Sequence, residues 1–289
     1  MESGMKNFLL SLALGLGSLS AAPAMAADPA FSASQMAQVK IKDLSFKEVM
    51  REFYSGEMVS FFIDDETIEA VPHVGLGRVN SDGERTVALM NPVVEYKNNV
   101  GEARYLVIIE KVKVDSNTGS LVSCHACKAT ADIYSFKKLN NGLFQLVSRT
   151  PRKVEPTGVS GRIMLEEKSI KNTMQPLGEE ITGSVLKNGS FYHGIFVQWW
   201  DVLQLPENDF INLYGLGDAG MENGVYDEDS PLYYAYEGTF KVLSENTNTM
   251  YYPIMLTYKG EKPTDDYERI EHVNYSKIMK FNPAKKAYE

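Results

Sequence analysis

The sequence predicts a mainly β fold of the α+β kind. It would be an antiparallel, strand-rich body with one amphipathic N-terminal helix, built as one or two β-rich lobes. Three observations lead there. From Val59 onward, short apolar runs alternate with Gly, Asn and Asp turn signals. Tyrosine is abundant, 16 residues against 2 Trp, which suits strands with one half-exposed face. One stretch alone, Phe46, Val49, Met50 and Phe53, repeats apolar residues at helical spacing.

In chain order, residues 1–26 read as a secretory leader. Lys6 supplies the positive end, Phe8 to Leu19 the apolar core, and Ala24-Met25-Ala26 the small-x-small cleavage site. Met5 is an alternative start. Cleavage near Ala26 would deliver the chain to the periplasm or outside the cell. The apolar run is short and interrupted by Gly and Ser, unlike a membrane anchor, and no later segment is long and apolar enough to span a bilayer.

The remainder has enough residues for one large domain or two small ones. The formal net charge of −9 argues against nucleic acid and anionic membrane surfaces as partners. Solubility is the plain reading of that charge.

Asp28 to Ser34 reads as a flexible start. The helix follows: Ser45 caps it, Glu48 completes a capping box, Leu44 can staple onto Val49, and Gly56 ends it. The strands then read Val59–Ile63, Thr86–Val94 and Tyr105–Val114, while Val71 to Gly77 carries two glycines without the spacing of a phosphate-binding loop. Asp132–Leu139 and Leu143–Ser148 form a hairpin across Asn140-Asn141-Gly142. Thr150 to Pro156, Pro-containing and basic with Arg149, Arg152 and Lys153, marks a lobe boundary. The expected division is a leader at 1–26, a lobe with the helix at 27–150 and a second lobe at 157–289.

The only cysteines, Cys124 and Cys127, flank His125 and Ala126. A local disulfide is the favoured reading for an oxidising compartment. Loop closure over so short a ring contributes about 2 kcal/mol, enough to fix a turn but not a fold. A thiol–disulfide redox pair is the sharper alternative, with Cys124 as nucleophile, Cys127 resolving and His125 tuning. It wants Cys124 at a helix start. Ala126, Ala129, Ile133 and Phe136 have the spacing, but Thr130, Ile133 and Tyr134 are poor helix formers. Zinc lacks a second ligand pair, and covalent haem attachment needs His where Lys128 stands.

The run from Ala103 to Arg149 resembles an uncharacterised family of secreted Gram-negative bacterial proteins. The likeness rests on the strand Tyr105 to Ile109, the polar loop Asp115 to Gly119, Cys-His-Ala-Cys at 124–127, and Phe136, Gly142 and Phe144 beyond it. Gly158-Val159-Ser160-Gly161 matches the family's Gly-rich continuation. Ala129 to Asp132 replaces the Pro and Gly that the family places after its second Cys. The resemblance implies a shared turn or site and no established activity.

In the second half, Phe191 to Leu205 reads as one central strand, apolar on both faces. Trp199 and Trp200 read as core aromatics, or as a sugar-stacking platform if one ring is exposed. His193 reads as a hydrogen-bonded core histidine, with ligand contact as the alternative. Gly215 to Asp229 reads as an acidic, Gly-rich loop. Asp218, Asp227 and Asp229 could offer oxygen ligands to calcium, although the EF-hand spacing is absent. Strands at Tyr233–Leu243, Met250–Tyr258 and His272–Phe281 complete the chain.

No phosphate-binding or dinucleotide fingerprint, zinc-protease motif or nucleophile elbow occurs, so no cofactor and no catalytic set is expected. The residues point to a non-catalytic periplasmic binding or interaction protein with a local disulfide and a protein or cell-wall partner. Redox catalysis by the cysteine pair and carbohydrate binding through tryptophan are the alternatives.

Overall fold

A computed structural model describes residues 30–124, 127–151, 156, 158–244, 249–264 and 269–289. Half of the chain is strand and 11% is helix, and both main sheets are antiparallel, so the fold is mainly β.

The chain opens with helix α1 (Ala33–Gln38), capped by Ser32, and strand β1 (Lys40–Ile41). Part of the expected flexible start is therefore ordered. Helix α2 (Phe46–Tyr54) follows, with Val49, Met50 and Tyr54 buried. The Ser45 hydroxyl accepts from the Glu48 N–H at 3.4 Å, as a cap should. The reciprocal half of the capping box is replaced: Asp43 takes the Ser45 N–H at 2.9 Å, and Glu48 pairs with Arg51.

Beyond β2 (Met58–Val59), helix α3 (Glu66–Glu69) is capped by the Asp65 carboxylate. The strands of the first sheet are then β3 (His73–Leu76), β4 (Glu84–Met90), β5 (Val94–Lys97), β6 (Ala103–Asp115), β7 (Thr130–Lys138) and β8 (Phe144–Arg149). Their order is β1-β8-β7-β6-β4-β3-β2, and β5 pairs with the start of β6. The expected strand Thr86–Val94 is thus two strands, broken at Asn91-Pro92; proline has no N–H to offer a ladder.

β6 is the spine of this sheet. On one face Val107 and Ile109 join Met50, Tyr54 and Phe136 beneath α1 and α2. On the other face Leu106 and Ile108 meet Leu186, Leu203 and Leu205 of the second sheet. This period-two alternation is what a strand covered on both sides requires.

A small ladder of β9 (Gly158–Val159) and β10 (Arg162–Ile163), then helix α4 (Glu167–Thr173), lead into the second sheet. That sheet is a seven-stranded meander: β11 (Met174–Pro176), β12 (Ile181–Tyr192), β13 (Ile195–Pro206), β14 (Asn212–Asn223), β15 (Ala235–Val242), β16 (Ile254–Pro263) and β17 (Ile270–Met279). It curls into a half-barrel. Val185, Trp200, Val202, Ile254, Leu256 and Tyr258 fill its concave side. β18 (Phe281–Asn282) and β19 (Ala287–Tyr288) close the chain.

The curl has a local cause. β14 shifts register against β13 on both sides of the Trp199-Trp200 pair, and it pairs with β15 only over Gly220 to Glu222. Gly220 sits at φ +136, and a Cβ there would stand 2.6 Å from the Tyr236 carbonyl oxygen. Only glycine permits that approach.

Phe31–Glu289 forms one compact unit. Residues 152–155, in the expected lobe boundary, lie outside the described residues. On either side of them the two sheets share a core, one charged clamp ties them further, and a second ties the β9–β10 ladder to the first sheet. Arg104 holds Glu207 through Nε at 2.6 Å and Nη2 at 2.9 Å, and Arg162 holds Glu110 at 2.9 and 3.0 Å.

Two expectations fail on local chemistry. Phe191 to Leu205 is not one strand. β12 ends at Tyr192, His193 and Gly194 turn the chain, and β13 starts at Ile195. Both turn residues have positive φ, 50° and 85°, the signature of a tight hairpin turn. Gly215 to Gly220 is not a loop but the bulged middle of β14. Helices α1, α3 and α4 run six, four and seven residues, too short to display a helical period in sequence.

Candidate functional site

Cys124 and Cys127 are disulfide-bonded, with Cα atoms 4.9 Å apart. The Cys127 N–H donates to the Cys124 carbonyl at 3.0 Å, closing a four-residue turn. The Gly161 N–H in turn donates to the Cys127 carbonyl at 3.0 Å. The sulfur bridge therefore fixes a bend that is anchored to the β9–β10 ladder. His125 lies outside the described residues. From Thr130 the chain is strand β7, with Ile133 and Phe136 in opposite cores, so no helix runs through the spacing that a redox helix would use.

The bend delivers Lys128 to the rim of a groove of about 490 Å³. The floor of this groove is the helix-side face of the first sheet, beyond the point where α2 ends. Along β6 that face runs Tyr105, Val107 and Ile109, packed under the helices, then continues as Lys111 and Lys113. Apolar residues stop where cover stops. Thr130 lies opposite Lys111 on β7, and Thr86 opposite Lys113 on β4. Arg78 stands at the far rim.

One wall is a polar relay. The Tyr54 hydroxyl donates to Asp132 Oδ2 at 2.5 Å, and Lys111 Nζ donates to the same oxygen at 2.6 Å. Tyr54 has then used its proton, so its oxygen accepts from the Tyr134 hydroxyl at 3.2 Å. Burial pushes the phenols of Tyr54 and Tyr134 above their ordinary range, and the Asp132 charge adds to this. Both remain protonated donors near neutral pH. Lys113 donates to Thr86 Oγ1 at 3.2 Å. Arg78 and Lys128 have no carboxylate within ion-pair distance among the described residues.

Four cations and two carboxylates, Glu57 and Asp132, line this groove, in a chain whose net charge is −9. Its local sign is opposite to that of the molecule. Composition hid this, because the bases come from three separate segments of the chain. The one readable signal was Lys111-Val112-Lys113, two like charges on one face of a strand.

The other residues singled out from the sequence do not converge. Trp200 is 5% exposed, facing Phe240 inside the half-barrel. Trp199 points to the opposite side, half-buried, and donates to buried Asp201 at 3.1 Å. His193 is exposed at the hairpin tip, because the turn removes it from any core. Asp218 lies within β14, where it accepts from the Tyr236 hydroxyl at 2.8 Å and from the Gly220 N–H at 3.0 Å. Asp227 and Asp229 are in an exposed turn segment. Among the described residues no three His, Cys, Asp or Glu side chains cluster to hold a metal ion. No described helix is long and apolar enough to cross a membrane.

A second cavity, of about 360 Å³, opens at the end of the half-barrel between Tyr214, Tyr251, Phe210 and the carboxylates of Glu179, Glu180 and Asp209. Burial raises the phenols of Tyr214 and Tyr251, and neighbouring Asp209 contributes.

No family model, curated protein or solved structure matches the chain.

Proposed function

We propose that this is an exported, non-catalytic binding protein whose ligand presents an anionic group to the Lys111–Lys113–Lys128–Arg78 groove. The observation that supports this reading is the inverted charge of that groove. Among the described residues three bases there have no carboxylate within ion-pair distance, and the hydroxyls of Thr86 and Thr130 stand beside them. Such a set binds phosphate, sulfate or carboxylate oxygens by charge-assisted hydrogen bonds. The disulfide serves the site by fixing the bend that carries Lys128. A periplasmic or extracellular location fits a bridge of this kind.

The test is titration of the purified protein with inorganic phosphate, sulfate and citrate, followed by calorimetry and thermal melting. Saturable binding is expected, weakening as NaCl rises. Arg78→Glu and Lys128→Glu lie on exposed positions and should each weaken it at least tenfold without lowering the melting temperature. Absence of saturable binding, or equal binding by both variants, overturns the proposal. So does turnover in an insulin-reduction assay that Cys124→Ser abolishes, since the pair would then be the active centre.

A further inference from the structure

The half-barrel is open along β17. This strand has ten residues and only β16 as a strand partner among the described residues. Most of its side chains are exposed, including Tyr275 and Ile278 at 46% and 53%. A strand edge of this length is a template for pairing with another strand.

The sequence of β17 restricts what can pair with it. When a regular strand pairs antiparallel with its own copy, facing residues must both point toward the partner or both away. Residues of equal parity share that property, so the two-fold axis must pass through a residue. Centred on Asn274, Glu271 faces Lys277, Val273 faces Tyr275, His272 faces Ser276 and Ile270 faces Ile278. Centred on Val273, Lys277 faces Arg269 instead. Centred on Tyr275, Lys277 faces Val273 and Glu271 faces Met279. Only the Asn274 register sets opposite charges against each other, and it does so twice by symmetry.

The side chains are available for it. Lys277 has no carboxylate within ion-pair distance among the described residues; its ammonium stands 5.5 Å above the Tyr258 ring. Glu271 holds Lys262 only at 3.5 Å and remains half exposed. Lys277, Tyr275 and Val273 share the concave face with Glu271, and Ile270 and Ile278 share the convex one. Each face thus receives its own complementary pairs.

We infer that two copies of this chain associate edge to edge through β17, antiparallel about Asn274, joining their half-barrels into one continuous sheet. The interface is isologous, with Glu271–Lys277 pairs on one face and an Ile270–Ile278 contact on each side of the axis on the other. Strand pairing alone makes a small interface, so the dimer belongs to the weak class.

Sedimentation equilibrium of the full chain should show monomer–dimer exchange, complete by a concentration of about 1 mM. Glu271→Lys and Lys277→Glu should each weaken the dimer at least tenfold, because each opposes like charges twice. Mixing these two variants should restore it, since every facing pair is then complementary, and the double charge swap should restore it within one chain. Asn274→Cys should form a disulfide-linked dimer on oxidation, as facing Cα atoms in a ladder lie about 5 Å apart. A monomer at every concentration overturns the inference. So does a dimer indifferent to both charge reversals, which would place the contact elsewhere.

Discussion

Arg162 of β10 grips Glu110 of β6, Nε to Oε1 at 2.9 Å and Nη2 to Oε2 at 3.0 Å. Glu110 is in the middle of β6 and its side chain is 2% exposed; that of Arg162 is 30% exposed. The Ile163 N–H also donates to Glu110 at 2.8 Å, so the carboxylate is satisfied from three donors. The pair therefore pins β10, and with it the entry to the second sheet, onto the spine of the first.

The asymmetry in exposure predicts an asymmetry in mutation. Arg162→Ala strands a buried carboxylate with no cation and should cost about 3–5 kcal/mol. Glu110→Ala leaves a guanidinium that can turn to water and one orphaned N–H, and should cost less, about 2 kcal/mol. The double Glu110→Leu, Arg162→Met variant should recover much of the loss, because well-packed apolar groups replace a buried ion pair at little net cost. Urea unfolding of the four proteins checks the order. Equal losses in the two single variants would mean that Arg162 is not screened by water in the way its exposure implies.

Buried tyrosines predict sensitivity to alkali. Burial pushes the phenols of Tyr288 and Tyr214 up to about 12, and also raises Tyr54, Tyr96 and Tyr134. An unfolded tyrosine releases its proton near pH 10. Between that pH and the higher native value, the native state binds more protons than the unfolded one. Stability is then fully present below pH 10 and falls as pH rises toward 12. For Tyr288 alone the loss is roughly 2–3 kcal/mol over that interval. Melting temperature against pH should drop steeply above pH 10, and Tyr288→Phe should flatten part of the drop. It should also lower stability at pH 7 by about 1 kcal/mol, because Gln204 Nε2 loses its 3.0 Å acceptor. A profile unchanged by Tyr288→Phe would contradict the assignment.

The β class and the long strands of the first sheet could be read from the sequence, because turn residues and period-two alternation are local signals; the twelve-residue β12 and β14 were not read. The helix from Phe46 was read for the same reason: Ser45 and an apolar face lie within one short segment. The Tyr192–Ile195 turn was missed because its tip is flanked by Phe191, Tyr192 and Ile195, apolar residues that imitate an unbroken strand. His193-Gly194 was the only sign of it. The groove was missed for a different reason. Arg78, Lys111 and Lys128 lie on three separate segments and meet only once the sheet order is known. A strand order is set by long-range pairing, and no local residue pattern encodes it.

The hairpin tip predicts a cost for one methyl group. Gly194 sits at φ +85, and a Cβ there would lie 2.2 Å from Val225 Cγ2. Gly194→Ala meets both a backbone penalty and a clash, so it should destabilise by about 1–2 kcal/mol. Adding Val225→Ala removes the clash and should return part of the loss. Chemical denaturation of the single and double variants separates the two contributions. If Val225→Ala brings nothing back, backbone strain alone sets the cost.

The last prediction concerns the sulfur bridge, and it separates its role in stability from its role at the groove. The bridge spans a sequence separation of three, so loop closure limits its contribution to about 2 kcal/mol. The bend is also held by the Cys127 N–H on the Cys124 carbonyl and by the Gly161 N–H on the Cys127 carbonyl. Neither bond needs the sulfurs. The double Cys124→Ser, Cys127→Ser variant should therefore fold, with circular dichroism unchanged and stability lower by at most that amount. Lys128 stands next to the bridge, and without it the ammonium explores more positions than the groove requires. Phosphate binding should weaken several-fold in the serine variant, and Lys128→Glu should then add less than it does in the oxidised protein. A serine variant that binds phosphate as tightly as the oxidised protein would confine the bridge to stability alone. One that fails to fold would make the bridge a structural staple, against the small contribution that its ring size allows.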